Sequence, residues 1–229
     1  MRIALVQAAG LHGDGAAVRS QRWLERAAGL GAELLVLPSG FPPDFRRELG
    51  GLAARHGVAA AAGSNAGNGT GTGTELWLLD AGGELQACTD SAAVVPLHGR
   101  LICLATEDDA GAAAWAAGRR PRRSVSDQGA QLLLVPGGSP GRDGWFRALA
   151  RRGAPAPAVA WNGPRRSFIA APGAGISAEA GLFEELIVAD VHLSARQRTV
   201  GPSWFARRYL SEGPEAQLQA AATGAGRGS

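Results

Sequence analysis

The stretch "GAELLVLPSG", residues 31–40, is closely matched by "GAQLLLVPGG" at residues 129–138. Both follow the pattern G-A-x-L-L-x-x-P-x-G, and they begin 98 residues apart. A short apolar run bounded by glycine and proline is typical of a buried strand. A strand that is repeated at this distance predicts a chain built from two related halves.

The segments around the two repeated strands also resemble each other. Around the first, the sequence predicts a strand over 2–7, a helix over 16–30, a helix over 44–57, a strand over 58–64 and a hairpin that turns at Gly82-Gly83. Around the second, it predicts a helix over 111–117, a helix over 144–153, a strand over 156–163, a hairpin over 167–181 and a last strand over 185–193. Each half therefore reads as strand, helix, strand, helix, strand and hairpin.

This order predicts an α/β fold. Right-handed crossovers would place the helices of each half on one face of its sheet, so the two bare faces can pack together. The result is a four-layer αββα sandwich with an internal pseudo-twofold axis. Leu34–Leu37 and Leu132–Val135 should then be adjacent or symmetry-related inner strands. We expect one domain over residues 1–210 and a flexible tail over 211–229, which ends in Gly, Ser and Ala.

Composition narrows the class of protein. No uninterrupted apolar stretch of about 20 residues occurs, so we expect a soluble, cytoplasmic chain without membrane association. The two cysteines, Cys88 and Cys103, fit a reducing compartment, and neither lies in a metal-binding cluster, so no cofactor is expected. The arginine run at 119–123 could contact nucleic acid or phosphate, but it lacks interleaved aromatic residues. We interpret it as a solvated loop and expect no nucleic-acid partner.

Six segments occur along the chain in the order expected of one protein family. They are "RIALVQ" (2–7), "GAELLVLP" (31–38), "LLDAGGEL" (78–85), "RLIC" (100–103), "GAQLLLVP" (129–136) and "SFIAAP" (167–172). In order and spacing the chain resembles the nitrilase, or carbon-nitrogen hydrolase, superfamily, as a divergent member, over roughly residues 1–200. The resemblance implies the αββα fold and hydrolysis of non-peptide C–N bonds in amides or nitriles.

The resemblance also implies a catalytic glutamate, lysine and cysteine. A thiolate attacks the substrate carbon, a carboxylate takes and returns protons, and an ammonium stabilises the developing charge. The glutamate position, directly after "LP", holds Ser39, whose hydroxyl is not a base at neutral pH. All 23 basic residues are arginine, so no lysine is present, and Arg100 nearby has a rigid fork that does not replace an ammonium. Only 14 residues separate Cys88 from Cys103, where relatives insert a longer segment.

Cys103 occupies the nucleophile position, because it follows "LI" at the predicted end of a strand. Without a basic neighbour it is an inert, protonated core thiol. Two groups of residues could supply a substitute base. The acidic residues 107–109 could do so, or they could instead begin a helix. His98 or His56 could pair with the thiol, although both are more simply interpreted as surface residues. Asn162 matches an asparagine that often ends the corresponding strand in the family. The chain therefore matches the fold of the family at more positions than it matches the catalytic site.

The sequence leaves two principal hypotheses for function. The first is a catalytically impaired hydrolase-like protein that acts as a binding, regulatory or subunit protein. The second is an active amidase, nitrilase or C–N bond-forming enzyme that uses Cys103 with a substitute base. Either would fit a small amide or nitrile ligand, and we expect a homodimer or hetero-oligomer.

Overall fold

A computed structural model of the chain describes residues 1–8, 15–65, 74–106, 129–137, 144, 146–147, 157–163, 166–171 and 174–193. Its two complete helices are α1 (Ala16–Gly29) and α2 (Phe45–His56). The strands are β1 (Arg2–Gln7), β2 (Leu34–Phe41), β3 (Ala59–Asn65), β4 (Thr74–Leu79), β5 (Leu85–Thr89), β6 (Ala92–Leu97), β7 (Arg100–Ala105), β8 (Leu132–Val135), β9 (Ala158–Trp161), β10 (Phe168–Ala171), β11 (Gly175–Glu179) and β12 (Glu185–Asp190). The acidic residues 107–109, the predicted helix over 111–117, the arginine run 119–123 and the tail 211–229 lie outside the described residues.

The strands form two six-stranded sheets whose orders correspond strand for strand. The first sheet runs β12-β1-β2-β3-β4-β5 and the second β6-β7-β8-β9-β10-β11. In each, three neighbouring strands are parallel, as crossover connections require, and the outer strands are antiparallel. The two repeated segments, β2 and β8, lie in separate sheets at equivalent places. They are therefore symmetry-related rather than adjacent, as the pseudo-twofold repeat predicts.

The alternation of side chains along each strand divides the core into three clusters. Leu34 and Val36 of β2 face Leu132 and Leu134 of β8 in a cluster between the sheets. Leu35 and Leu37 point to the opposite side and pack under α1 and α2 in a second cluster. A third cluster covers the outer face of the second sheet and contains Phe146, which is one of three described helical residues in the segment 144–147. The predicted αββα sandwich is confirmed.

Most element boundaries agree with the sequence to within one or two residues. Helix α2 is followed by Gly57, whose φ of 66° is a left-handed conformation that favours glycine and closes the helix. The hairpin between β4 and β5 turns at Asp80–Gly83, as predicted. No described helix combines the length and apolar character that a bilayer crossing requires.

Three details of the strands were predicted wrongly. Strand β2 does not end at Pro38 but continues to Phe41, so Ser39 lies inside it. Strand β7 continues two residues past Cys103 to Ala105. An edge strand that was not predicted, β6, pairs with β7 through a tight turn at His98 and Gly99. Both turn residues have positive φ, a turn geometry that matches the twist of the two strands.

Candidate functional site at the carboxyl edge of the sheets

Ser39 lies where the carboxyl ends of the parallel strands of both sheets meet. Its backbone N–H donates a hydrogen bond to the carbonyl of Pro136, at 2.8 Å, so β2 of one sheet is tied to the end of β8 of the other. The side chain points at the backbone of Gly137. A Cβ atom at Gly137 would overlap the Ser39 hydroxyl and lie 2.8 Å from the Ser39 Cβ.

Gly63, on the neighbouring strand β3 of the same sheet, also packs closely against Ser39. A Cβ atom at Gly63 on β3 would lie 3.0 Å from the Ser39 Cβ and 2.9 Å from Cδ2 of Leu76. Real Cβ atoms essentially never approach as closely as 2.8 Å, so the packing requires glycine at 137, whereas a Cβ atom at Gly63 would make a tight contact with Ser39 and would push the end of the Leu76 side chain aside. Because backbone lies on both sides of the Ser39 Cβ, the site accommodates a small side chain here. A longer side chain would displace one of the two strands or turn away from the gap.

Asn162 ties the two sheets together at a second point of the same edge. Its Nδ2 donates to the carbonyl of Val6 at the end of β1, at 2.7 Å, and its Oδ1 accepts from Oγ of Ser167 at 3.1 Å. The residue is buried, and its backbone N–H donates to the carbonyl of Val135. Asn162, singled out in the sequence, is therefore a cross-sheet link, and its amide is satisfied within the protein.

Cys103 does not lie beside Ser39. It pairs with Leu133 within β8, whereas Ser39 contacts Gly137, two residues past the end of that strand. Its side chain is wholly buried in the cluster on the outer face of the second sheet, with Phe146 and Trp161. The residues on either side of it in β7, Ile102 and Leu104, face the space between the sheets instead.

Thr106 directly follows β7, at the carboxyl end of the second sheet. The register pairs Leu104 with Leu134, and continuing it two residues places Thr106 level with Pro136. Ile102 and Leu104 face the space between the sheets, and continuing their alternation by two residues would direct Thr106 to the same side. Sequence reasoning missed this residue, although aligning "RIALVQ" with "LICLAT" would have placed Thr106 opposite Gln7 and Cys103 opposite Ala4.

The other sequence candidates lie away from Cys103. His98 is in the β6–β7 turn, at the opposite end of β7 from Ala105. His56 ends α2, which covers the outer face of the first sheet, whereas Cys103 faces outward from the second. Arg100 is the first residue of β7, and its guanidinium donates a hydrogen bond to the carbonyl of Leu193. Within the described part of the chain, no three His, Cys, Asp or Glu side chains are grouped to hold a metal ion.

The burial of Cys103 predicts that alkylating reagents distinguish the two cysteines. In native protein at pH 8, we expect iodoacetamide to modify exposed Cys88 first. Cys103 should react on the order of a hundredfold more slowly, because modification requires the core to open. Peptide mass mapping at increasing times measures both rates, and unfolded protein is the control in which they should converge. Rapid modification of Cys103 near pH 6, ahead of Cys88, would contradict its placement in the core.

The chain matches solved structures of an amidase from Nesterenkonia sp. AN1. A double mutant of that amidase in complex with acrylamide is 21% identical to the chain, with a TM-score of 0.67, and the match covers 96% of each chain. A mutant in complex with butyramide is 21% identical, with a TM-score of 0.66, over 83% of this chain and 90% of that one. Another mutant, of the amidase "from the nitrilase superfamily", is 22% identical, with a TM-score of 0.67, over 83% and 91%.

At this level of identity the match establishes the fold. The resemblance predicted from the sequence is confirmed in that respect, since the chain has the α/β sandwich fold of a nitrilase-superfamily amidase. No protein-family model matches the sequence. No curated protein matches it either.

Proposed function

We propose that the chain is a divergent, nitrilase-like protein that does not hydrolyse amides and acts as a binding, regulatory or subunit protein. The observation that carries this proposal is the packing of Ser39 between Gly63 and Gly137. The resemblance assigns a catalytic carboxylate to this position, and a serine hydroxyl cannot hold a proton taken from a nucleophile. Loss of a positioned general base typically lowers the rate by ~10²–10⁴.

The nucleophile position supports the same proposal. Cys103 is buried on the outer face of its sheet, so a thiolate there would not meet a substrate held at the Ser39 edge. The residue at that edge is Thr106, whose hydroxyl needs a strong base before it can attack. The chain also contains no lysine to stabilise the charge that develops on the substrate.

The alternative is an active hydrolase or C–N bond-forming enzyme that uses Cys103 with a substitute base. It would require Cys103 to leave the cluster that contains Phe146 and Trp161. Its candidate base, among residues 107–109, lies outside the described residues.

We further propose that the ligand is a small neutral amide or nitrile, and that the protein works in the cytoplasm as a homodimer or with a different subunit. Mutants of the matched amidase were solved in complex with butyramide and with acrylamide. The hydroxyls of Ser39 and Thr106 can hydrogen-bond to a neutral amide without ionised groups. On this proposal residues 1–210 form the domain that binds the ligand.

The test combines binding and turnover in one sample. We expect butyramide and butyronitrile to raise the melting temperature of the protein without release of ammonia, and light scattering to report more than one chain per particle. Thr106→Ala should weaken the thermal shift, whereas Gly51→Ala, on the exposed face of α2, should leave it unchanged. No thermal shift with any amide or nitrile, together with a monomeric particle, would contradict the proposal.

A further inference from the structure

A second cluster of reactive groups lies on the outer face of the first sheet, apart from the Ser39 edge. The thiol of Cys88 on β5 donates to Oε1 of Glu75 on β4, at 2.6 Å. Nη1 of Arg46, in the first turn of α2, donates to Sγ of Cys88 at 3.1 Å and lies 3.6 Å from Oε1 of Glu75. Nε1 of Trp77 donates to Oε2 of Glu75 at 3.0 Å. A thiol, a carboxylate and a guanidinium are thus in mutual contact.

The sheet register explains why these groups meet. Cys88 pairs with Trp77 across the β4–β5 ladder, so their side chains share a face. Glu75 lies two residues before Trp77 on the same strand and therefore on that face as well. Helix α2 packs on the same face and presents Arg46. The thiol is exposed, so a small molecule can reach it.

Ser64 provides an independent sign of a ligand at this place. It pairs directly with Glu75 across the β3–β4 ladder, which puts its side chain on the same face. The residue has no exposed surface, and its Oγ has no hydrogen-bond partner in the part of the chain described here. A buried hydroxyl without a partner is costly, so a group that accepts or donates a hydrogen bond beside Glu75 would stabilise it.

The contacts also set the protonation of the pair. The hydrogen bonds from Cys88 and then Trp77 lower the pKa of Glu75, so its carboxylate is ionised at neutral pH. Burial, followed by the hydrogen bond to Glu75, raises the pKa of Cys88, so the sulfur keeps its proton. An ionised carboxylate therefore accepts the hydrogen bond of a protonated thiol, so Glu75 is in position to take that proton when the sulfur attacks.

We propose that Cys88 accepts an acyl group from a small activated ester or thioester, with Glu75 as the base and Arg46 as the stabiliser of the oxyanion. The Cys88 proton passes to Glu75 as sulfur attacks the acyl carbon, and the carbonyl electrons move to oxygen beside Arg46. The intermediate then collapses, the alcohol or thiol leaves with the proton from Glu75, and a thioester remains on Cys88. This step is independent of the function proposed for the Ser39 edge.

The test uses p-nitrophenyl acetate as the acyl donor. At pH 7 we expect one acetyl group per chain, located on Cys88 by peptide mass mapping and absent in Cys88→Ser. Glu75→Gln should acetylate at least about tenfold more slowly, in line with the usual contribution of a general base. The matched control is Glu84→Gln in the neighbouring β4–β5 turn, which should react like the unchanged protein. If Glu75 merely suppressed the thiolate, Glu75→Gln would react faster, and that result would overturn the proposal.

The pH dependence of the unchanged protein tests the same proposal without a variant. Because the attack uses ionised Glu75, the rate of acetylation should change by less than about threefold between pH 6 and pH 8. A thiol that reacts only as free thiolate gains about tenfold per pH unit below its pKa. A tenfold rise per unit across this range would overturn the role of Glu75 whether or not Glu75→Gln folds.

Discussion

Replacing Ser39 with glutamate is expected to destabilise the protein and to leave it without amidase activity. The new side chain must enter the space between the backbones of Gly63 and Gly137, or turn away from it. A carboxylate placed there without a lysine partner also loses hydration. We expect the free energy of unfolding to fall by roughly 1–3 kcal/mol or more. Denaturant unfolding measures the stability, and ammonia release from simple amides measures the activity.

Two control variants separate the causes of the Ser39→Glu effect. Ser39→Ala keeps the Cβ atom and should change stability by less than about 1 kcal/mol. Ser39→Gln has the same size as glutamate without its charge. Desolvation raises the pKa of the introduced carboxyl above its unfolded value, so the extra cost of Ser39→Glu over Ser39→Gln should shrink as the pH falls. A stable Ser39→Glu variant that releases ammonia would show that the site had lost only its base.

Adding a methyl group at Gly137 is expected to be the most costly single-atom change at this edge. In Gly137→Ala the new Cβ atom would overlap the Ser39 hydroxyl and approach the Ser39 Cβ to 2.8 Å. Overpacking of this kind typically costs about 1–3 kcal/mol. The backbone of Gly137 is not left-handed, so the cost would come from this contact rather than from the conformation of the residue. Thermal and denaturant unfolding measure it.

The partner of the clash is identified by a double-mutant cycle. Ser39→Gly removes the atoms that the new methyl group would overlap, so the double variant should be more stable than the sum of the single effects by about 1–2 kcal/mol. Gly51→Ala is the matched control, because a Cβ atom there meets nothing within 4 Å. That change should be neutral or stabilising, since alanine favours a helix. Additive effects at residues 39 and 137 would mean that the two residues are not in contact.

The fold was predictable because its signals are local and repeated. The strands β2 and β8 carry the same ten-residue pattern, and the helical and strand periods around them are clear. Strand β6 was missed because it holds Pro96, which is tolerated there only because β6 is an edge strand. The end of β2 was missed because the irregular pairing around Ser39 continues the strand beyond Pro38.

The site was less predictable because it depends on which face a side chain occupies. The motif "LIC" suggests that the strand ends at Cys103. Cys103 instead lies three residues before Thr106, which follows the strand, and an odd separation puts its side chain on the opposite face, away from Ser39. The contact of Ser39 with Gly137 joins two sheets, and neither residue type alone reveals it. The cluster of Arg46, Glu75 and Cys88 comes from three elements, so no spacing in the sequence indicates it.

The most direct test of the central claim is ammonia release by the unchanged protein. Butyramide, acrylamide and the matching nitriles should be incubated with micromolar protein for many hours, with Thr106→Ala and Cys103→Ala as parallel samples. We predict ammonia at the level of buffer alone in all three samples. Release well above that level, lost in Cys103→Ala or Thr106→Ala, would show that the Ser39 edge still supports hydrolysis and would contradict the proposed loss of activity.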